Sequence, residues 1–219
     1  MPHLHAQFVL FDGFDPLDVV APFEVLTAGS DLLGGALAVE LVSASGPGVV
    51  RSGNPRITLT ATATLDPDAP GYVVVPGAVG PLDGDPDAGV ETIPVLLGRF
   101  ASSDAMPLIR RALDNPDITV AAFCGGSLAL ALAGLLEGRT ATTHGLGIDM
   151  LDATGVNAIR ARVVDDGDLI SGGGVTSGLD VALYLLDRDF GSQTAHAVEE
   201  LFEYERRGTT WKTTGQLAA

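Results

Sequence analysis

The sequence predicts an α/β protein: a mostly parallel central sheet with helices on both faces. Three observations carry this. Short apolar runs alternate along the chain with longer stretches whose apolar residues recur at helical spacing. The apolar runs read as strands buried on both faces, as parallel strands are. The chain has 219 residues, 46% of them hydrophobic and 18% charged, which is enough apolar material for one large core and no internal repeat.

The elements follow in order. "AQFVLF" (6–11) is the first strand, and "LDVVAPFEVLTAG" (17–29) a helix with Gly29 as its stop signal. "ALAVELVSAS" (36–45) is the second strand. "VVRSGNPRITLTATATL" (49–65) reads as two short β segments around a Gly-Asn-Pro turn. "GYVVVPG" (71–77) is a core strand, and "MPLIRRALDN" (106–115) an amphipathic helix starting near Pro107. "ITVAAF" (118–123) is a strand, followed by a helix in "SLALALAGLLEG" (127–138) that ends at Gly138. "ARVVDDGDLISGG" (161–173) reads as a hairpin with Asp-Gly at its turn. "VTSGLDVALYLLDRDF" (175–190) and "SQTAHAVEELFEYE" (192–205) are the last two helices.

Composition removes several function classes. The net charge of −16 argues against nucleic acid, because phosphate binding needs clustered Lys and Arg. A single cysteine excludes an internal disulfide and a multi-cysteine zinc site. His3 and His5 are too sparse for a metal site, so no metal and no cofactor is expected. The glycines 172, 173, 174 and 178 miss the spacing of a dinucleotide-binding loop. The N-terminus lacks the basic and long apolar regions of a signal peptide, so a cytoplasmic protein is expected. Residues 118–136 carry no charge, but Cys124-Gly125-Gly126 breaks the run, and the helical part would span only about 15 Å, half a bilayer core. No membrane partner is expected.

The chemistry centres on Cys124. A strand, then Cys-Gly-Gly, then a helix is the layout of a nucleophile elbow, which presents a reactive side chain at the carboxyl end of a central strand. The helix end directs amides at the sulfur and is expected to lower the thiol pKa enough for a thiolate at neutral pH. The alternative is a small buried core cysteine.

Four segments in chain order make the sequence resemble the ThiJ/PfpI superfamily. They are "FDGFDPLDVVAPFEVL", "VVVPGAVG", "AAFCGGSLALALAGLLEGRTATTH" and "LISGGGVTSGLDVALYL". The resemblance implies the flavodoxin-like, class I glutamine-amidotransferase-like sandwich. It spans one domain, 1–219, with a core over about 6–205 and an irregular C-terminal tail, 206–219. Asp at position 18, the Thr-Thr-His run and the Gly-Gly-Gly-Val-Thr turn resemble the isonitrile (isocyanide) hydratase branch, which also holds the N-terminal domains of AraC-type regulators.

By that resemblance Cys124 is the nucleophile and Asp18 the acid that shares a proton with it; an N-cap is the other job open to Asp18. His144 is a possible catalytic residue or a buried, hydrogen-bonded histidine. Gly77 and Ala78 match the oxyanion turn, with the amides of Ala78 and Gly125 as donors. Gly174 and Val175 are expected to line the pocket. Two positions depart from the pattern: Ala78 replaces the second glycine of the oxyanion turn, and Gly125 stands where the hydratases carry Thr. The implied reaction is attack of the Cys124 thiolate on the terminal carbon of an isonitrile, a thioimidate intermediate, and hydrolysis to an N-substituted formamide. A small-molecule substrate and a homodimer are the implied partners. Other readings are a cofactor-independent glyoxalase acting on methylglyoxal, a cysteine redox sensor, and a regulator-derived ligand-binding domain whose DNA-binding part is lost or separate.

Residues 81–104 are longer than the usual link at this place. Their first half is acidic (Asp83, Asp85, Asp87, Glu91), and their second half holds Ile93, Val95, Leu96, Leu97 and Phe100. The segment reads either as a solvated loop or as a wall over Cys124, its apolar residues packing inward or across a dimer interface.

Overall fold

The structure, a computed structural model, describes residues 4–214. In chain order its elements are β1 (Leu4–Val9), α1 (Pro16–Leu32), β2 (Leu37–Ser43), β3 (Gly48–Arg51), β4 (Thr58–Ala61), β5 (Ala63–Thr64) and β6 (Gly71–Val75). A 3-10 turn (Pro86–Ala88) then leads to α2 (Ile93–Ala101), α3 (Ala105–Leu113), β7 (Ile118–Phe123), α4 (Gly126–Leu132), β8 (Thr140–Ala141) and α5 (Ile148–Ala153). The chain continues through β9 (Asn157–Ala158), β10 (Val163–Asp165), β11 (Leu169–Gly172), α6 (Ser177–Phe190), α7 (Ser192–Phe202) and β12 (Thr210–Lys212).

Eight strands form one sheet in the order β12-β10-β11-β7-β6-β1-β2-β5. Every neighbouring pair in it is parallel except β10 and β11, the hairpin expected at Asp-Gly. The other expected hairpin, β3–β4, stands outside the main sheet. The central strands β6 (GYVVV) and β7 (ITVAAF) are almost wholly apolar because both faces are covered. Val73, Val75, Val120 and Ala122 pack with residues of α2, α3, α4 and α5, such as Leu97, Ile109, Leu130 and Leu151. Tyr72, Val74, Ala121 and Phe123 pack on the opposite face with α1, α6 and α7, through Leu26, Leu185 and Val198. Each Val, Leu or Ile among them contributes about 1.5–3 kcal/mol by leaving water.

The structure corrects several expectations. Gly29 does not stop α1, which runs on to Leu32. It is a packing glycine: a Cβ there would lie 2.6 Å from Leu186 Cδ2 of α6. The stop comes at Gly34 and Gly35, both at positive φ. The helix after Cys124 ends at Leu132, well before Gly138. Gly134 at φ +70° turns the chain, with Gly134 N–H donating to Ala131 O and Leu135 N–H to Leu130 O, the bond pair of a Schellman end. The tail is not irregular throughout, since Thr210–Lys212 adds a parallel edge strand to β10. Helices α2 and α5 and the two-residue strands β8 and β9 are not among the elements the sequence predicts. His3 lies outside the described residues, while His5 sits on β1 at 3.5 Å from Glu40. Among the described residues no helix is long and apolar enough to cross a membrane.

Gly126 marks the tightest approach of α4 to the sheet. A Cβ there would stand 2.4 Å from Val75 O and 2.9 Å from Pro76 O, both main-chain atoms that cannot step aside. Gly126→Ala should therefore lower stability by about 1–3 kcal/mol. The check is a lower urea midpoint with an unchanged denaturant slope. Gly98→Ala in α2, where a Cβ meets nothing within 4 Å, should hold or raise the midpoint.

Candidate active site

The site forms where β6 and β7 end side by side in the middle of the sheet. Cys124 follows the last residue of β7 and has φ +50°, a conformation that side chains other than glycine rarely adopt. Its backbone is held on both sides. The N–H donates to Gly172 O at 3.1 Å. The carbonyl accepts from Thr143 Oγ1 at 2.5 Å and from His144 N–H at 3.2 Å. The Thr-Thr-His run is itself tied to β11, where Thr142 N–H donates to Ser171 Oγ at 2.9 Å. The strained elbow foreseen from Cys-Gly-Gly is thus present and anchored.

Asp18 enters from the first turn of α1 and is fully buried. It is not the N-cap. That position belongs to Asp15, whose Oδ1 accepts from Leu17 N–H at 3.0 Å, with Pro16 following at the first helical position. The freed Asp18 carboxyl points to the loop after β6, where Oδ2 accepts from Gly77 N–H at 2.8 Å. Asp18 Oδ1 is buried and has no hydrogen-bond partner among the described residues. Asp15 N–H donates to Gly77 O at 2.9 Å, so α1 grips Gly77 at both main-chain groups.

Gly77 brings Asp18 and Cys124 together. A Cβ on it would lie 2.6 Å from Gly125 N, 2.9 Å from Asp18 Oδ2 and 3.1 Å from Cys124 Cβ. Ala78 tolerates its own Cβ because that methyl points into the core cluster of Val75, Leu96 and Leu97. The Ala78 amide makes no hydrogen bond among the described residues.

Burial governs the protonation of this pair. It pushes Asp18 up to about 8, helped by the charge of Asp15 and opposed by the Gly77 amide. The Cys124 thiol also goes up, first through burial and then through the charge of Asp18, while the Gly125 amide pulls it down. The expected lowering by the helix end is outweighed. Helix α4 has seven residues, and it offers the sulfur the single Gly125 amide.

A cavity of about 310 Å3 opens on Cys124. The segment 81–104 builds one wall with Leu82, Ile93, Pro94 and Leu97. Helix α4 adds Leu128 and Leu132, and the stretch from Thr143 into α5 adds His144, Leu146 and Met150. The apolar second half of the segment is therefore a wall, while the acidic residues Asp83, Asp85, Asp87 and Glu91 are exposed to solvent. Its other apolar residues face elsewhere: Phe100 stacks on Phe11 with ring centres 3.8 Å apart, and Leu96 packs over Gly13. His144 is at the cavity, and its Nδ1 accepts from Leu146 N–H at 3.2 Å. That bond leaves the ring proton of the neutral imidazole on Nε2.

Gly125 lines the cavity, whereas Gly77 and Ala78 sit behind Cys124 and do not. Gly174 and Val175 do not line it either. Gly174 borders a neighbouring cavity of about 320 Å3, with His144 Cδ2 3.9 Å from where its Cβ would be. Val175 packs against the core cluster that contains Phe14 and Cys124. Sequence reasoning missed Asp15, and it named Leu97 only as one of several apolar residues of the 81–104 wall. Asp-Pro at 15–16 is a readable helix start, but nothing in the sequence signals that Leu97 reaches Gly125.

The profile of the DJ-1/PfpI family matches residues 98–188. The chain is 32% identical to isonitrile hydratase of Pseudomonas putida over 203 residues, which are 92% of this chain and 78% of that protein. It is 28% identical to the HTH-type transcriptional regulator CdhR of Pseudomonas aeruginosa over 200 residues, 89% of this chain and 53% of the regulator. Among solved structures, a THiJ/PfpI family protein from Pseudomonas syringae superposes with a TM-score of 0.75 at 23% identity, covering 94% of this chain and 78% of that one. Drosophila melanogaster DJ-1beta superposes at 0.72 with 18% identity, covering 92% and 98%. These two likenesses speak for the fold.

The raised carboxyl has a measurable consequence. Unfolded, Asp18 loses its proton near 3.8; folded, it keeps it to about 8. Between those values the folded state binds more protons, so stability falls as pH rises across that window. Asp18→Asn should remove this part of the fall. Urea midpoints at roughly pH 5 and about pH 9 should differ less in the variant than in the parent chain.

Proposed function

We propose that this chain, which belongs to the DJ-1/PfpI family, is an enzyme that hydrates isonitriles to N-substituted formamides through Cys124 and Asp18. The observation that carries the reading is the buried Asp18 carboxyl. One oxygen is on the Gly77 amide, the other has no partner among the described residues, and the group packs against the same point as Cys124 Cβ and the Gly125 amide. The identity to isonitrile hydratase along most of both chains supports it.

An isonitrile has a terminal carbon that accepts a nucleophile and a proton at one atom. With both pKa values pushed up, the resting site holds a neutral thiol and a neutral carboxyl at pH 7. As the Cys124 sulfur bonds to the terminal carbon, Asp18 gives its proton to that carbon and takes up the thiol proton. A thioimidate results. Asp18 next gives its proton to the imidate nitrogen and takes one from water, and the hydroxide adds to the carbon. The tetrahedral adduct collapses: the hydroxyl proton returns through Asp18 to the sulfur, the C–S bond breaks, and the formamide leaves. Each step needs a carboxyl that both donates and accepts near neutrality, the property burial confers on Asp18. Gly125 lines the cavity, and its N–H is the amide we assign to stabilising charge in these steps.

The match to half the length of a transcriptional regulator favours a second reading, a domain that binds a small ligand without turning it over. Turnover separates the two. Purified chain should convert neutral alkyl isonitriles to formamides, and Cys124→Ser should abolish this. Asp18→Asn should lower kcat by about a hundredfold or more. The parent kcat/KM should fall as pH rises through about 8, when Asp18 loses its proton. Saturable isonitrile binding without formamide would favour the ligand-binding domain. Methylglyoxal turnover without isonitrile turnover would favour the glyoxalase chemistry.

A further inference from the structure

Gly125 directly follows the candidate nucleophile, and its backbone does not require glycine. Its φ of −73° and ψ of −8° are ordinary helical values. Space explains the residue. A Cβ at Gly125 would lie 2.9 Å from Leu97 Cδ1 and 3.1 Å from Cδ2. Leu97 is buried, belongs to α2, and lines the cavity together with Gly125. An isobutyl group from the 81–104 segment thus occupies the volume that a side chain on residue 125 would fill.

The polarity of the cavity points the same way. None of its lining residues is Asp, Glu, Lys or Arg. Thr143 Oγ1 donates to the Cys124 carbonyl and His144 Nδ1 accepts from Leu146, which leaves the His144 Nε2–H as the one side-chain N–H or O–H donor of the lining without a partner among the described residues. At the mouth, Leu82, Leu132, Leu146 and Met150 are each 46–72% exposed. A charged substituent would lose its water here and gain no counter-ion, at most a single hydrogen bond from His144.

We propose that Leu97 is the specificity-determining residue of the site: it replaces the missing side chain at 125, sets the room beside the sulfur, and restricts the substrate to neutral molecules with a hydrophobic substituent. For the reacting group, an isonitrile, this rests on the function proposed above. The packing claim does not.

The test uses the full chain with Gly125→Thr, Leu97→Ala and the double variant, each checked for its unfolding midpoint. Alkylation of Cys124 by iodoacetamide and by the bulkier N-phenylmaleimide reads the packing without any turnover. Gly125→Thr should slow both reagents by about tenfold, and adding Leu97→Ala should restore most of that loss. Leu97→Ala alone should speed the bulky reagent by about tenfold and the small one far less. In turnover, the parent should prefer cyclohexyl isonitrile to isocyanoacetate by at least about a hundredfold in kcat/KM, and Leu97→Ala should lower KM for larger alkyl groups. A folded Gly125→Thr as reactive as the parent, or a double variant no faster than it, overturns the proposal. If Gly125→Thr does not fold, Leu97→Ala decides, and equal acceleration of both reagents overturns it. Efficient use of isocyanoacetate overturns the substrate class. If the alkylation pattern holds while no isonitrile is consumed, Leu97 keeps its role and the hydratase reading fails.

Discussion

Three chain segments meet at the hydrogen atoms of one α-carbon. The first turn of α1, the end of β6 and the turn after β7 converge on Gly77, where any side chain would strike the Gly125 amide, the Asp18 carboxylate or the Cys124 methylene. The grip of α1 on Gly77 through the Asp15 amide and the Asp18 carboxylate sets how deep the helix end sits. That depth leaves Asp18 without water, and lack of water raises its pKa. The chemistry proposed for the pair therefore follows from a close approach of main chain, and the remaining fold keeps that approach in register by covering both sheet faces.

The sheet was legible because parallel strands buried on both sides leave a plain mark: uninterrupted apolar runs such as "ITVAAF", which the structure returns as Ile118–Phe123. Helix ends were less legible. Gly29 and Gly134 look alike in sequence, yet one admits Leu186 of a neighbouring helix and the other turns the chain at positive φ. Which role a glycine takes depends on what stands opposite it, and that is a tertiary fact. Helix α5 escaped notice because six residues carry too few apolar repeats to show a period.

The candidate site divides in the same manner. Cys124 and Asp18 were found through local motifs, and both motifs correspond to local geometry: an elbow at φ +50° and a helix start. The protonation of the cysteine was misjudged because the field of a helix end is readable from sequence, whereas burial is not, and burial is the larger influence here. The contacts of Gly174 and Val175 were misplaced for a related reason. Their turn does reach the neighbourhood of Cys124, but His144, held by its own main-chain bonds, stands between that turn and the cavity.

The short strands at the two margins of the sheet have a consequence for the behaviour of the molecule in a crowd. A sheet margin is a template on which another chain can continue the hydrogen-bond ladder. On one side the described sheet ends in β5, two residues long, and on the other in β12, three residues long and lying against the equally short β10. Strand β12 offers few aligned amides and carbonyls to a foreign strand; on the other side β5 covers only Val42 and Ser43 of β2, and the stretch it leaves uncovered carries the charged Glu40, which disfavours an added strand, while the apolar strands β6 and β7 are enclosed in the middle. With a net charge of −16 opposing close approach of copies, a chain that is 46% hydrophobic keeps its stickiest segments out of reach of fibrillar aggregation for as long as it stays folded.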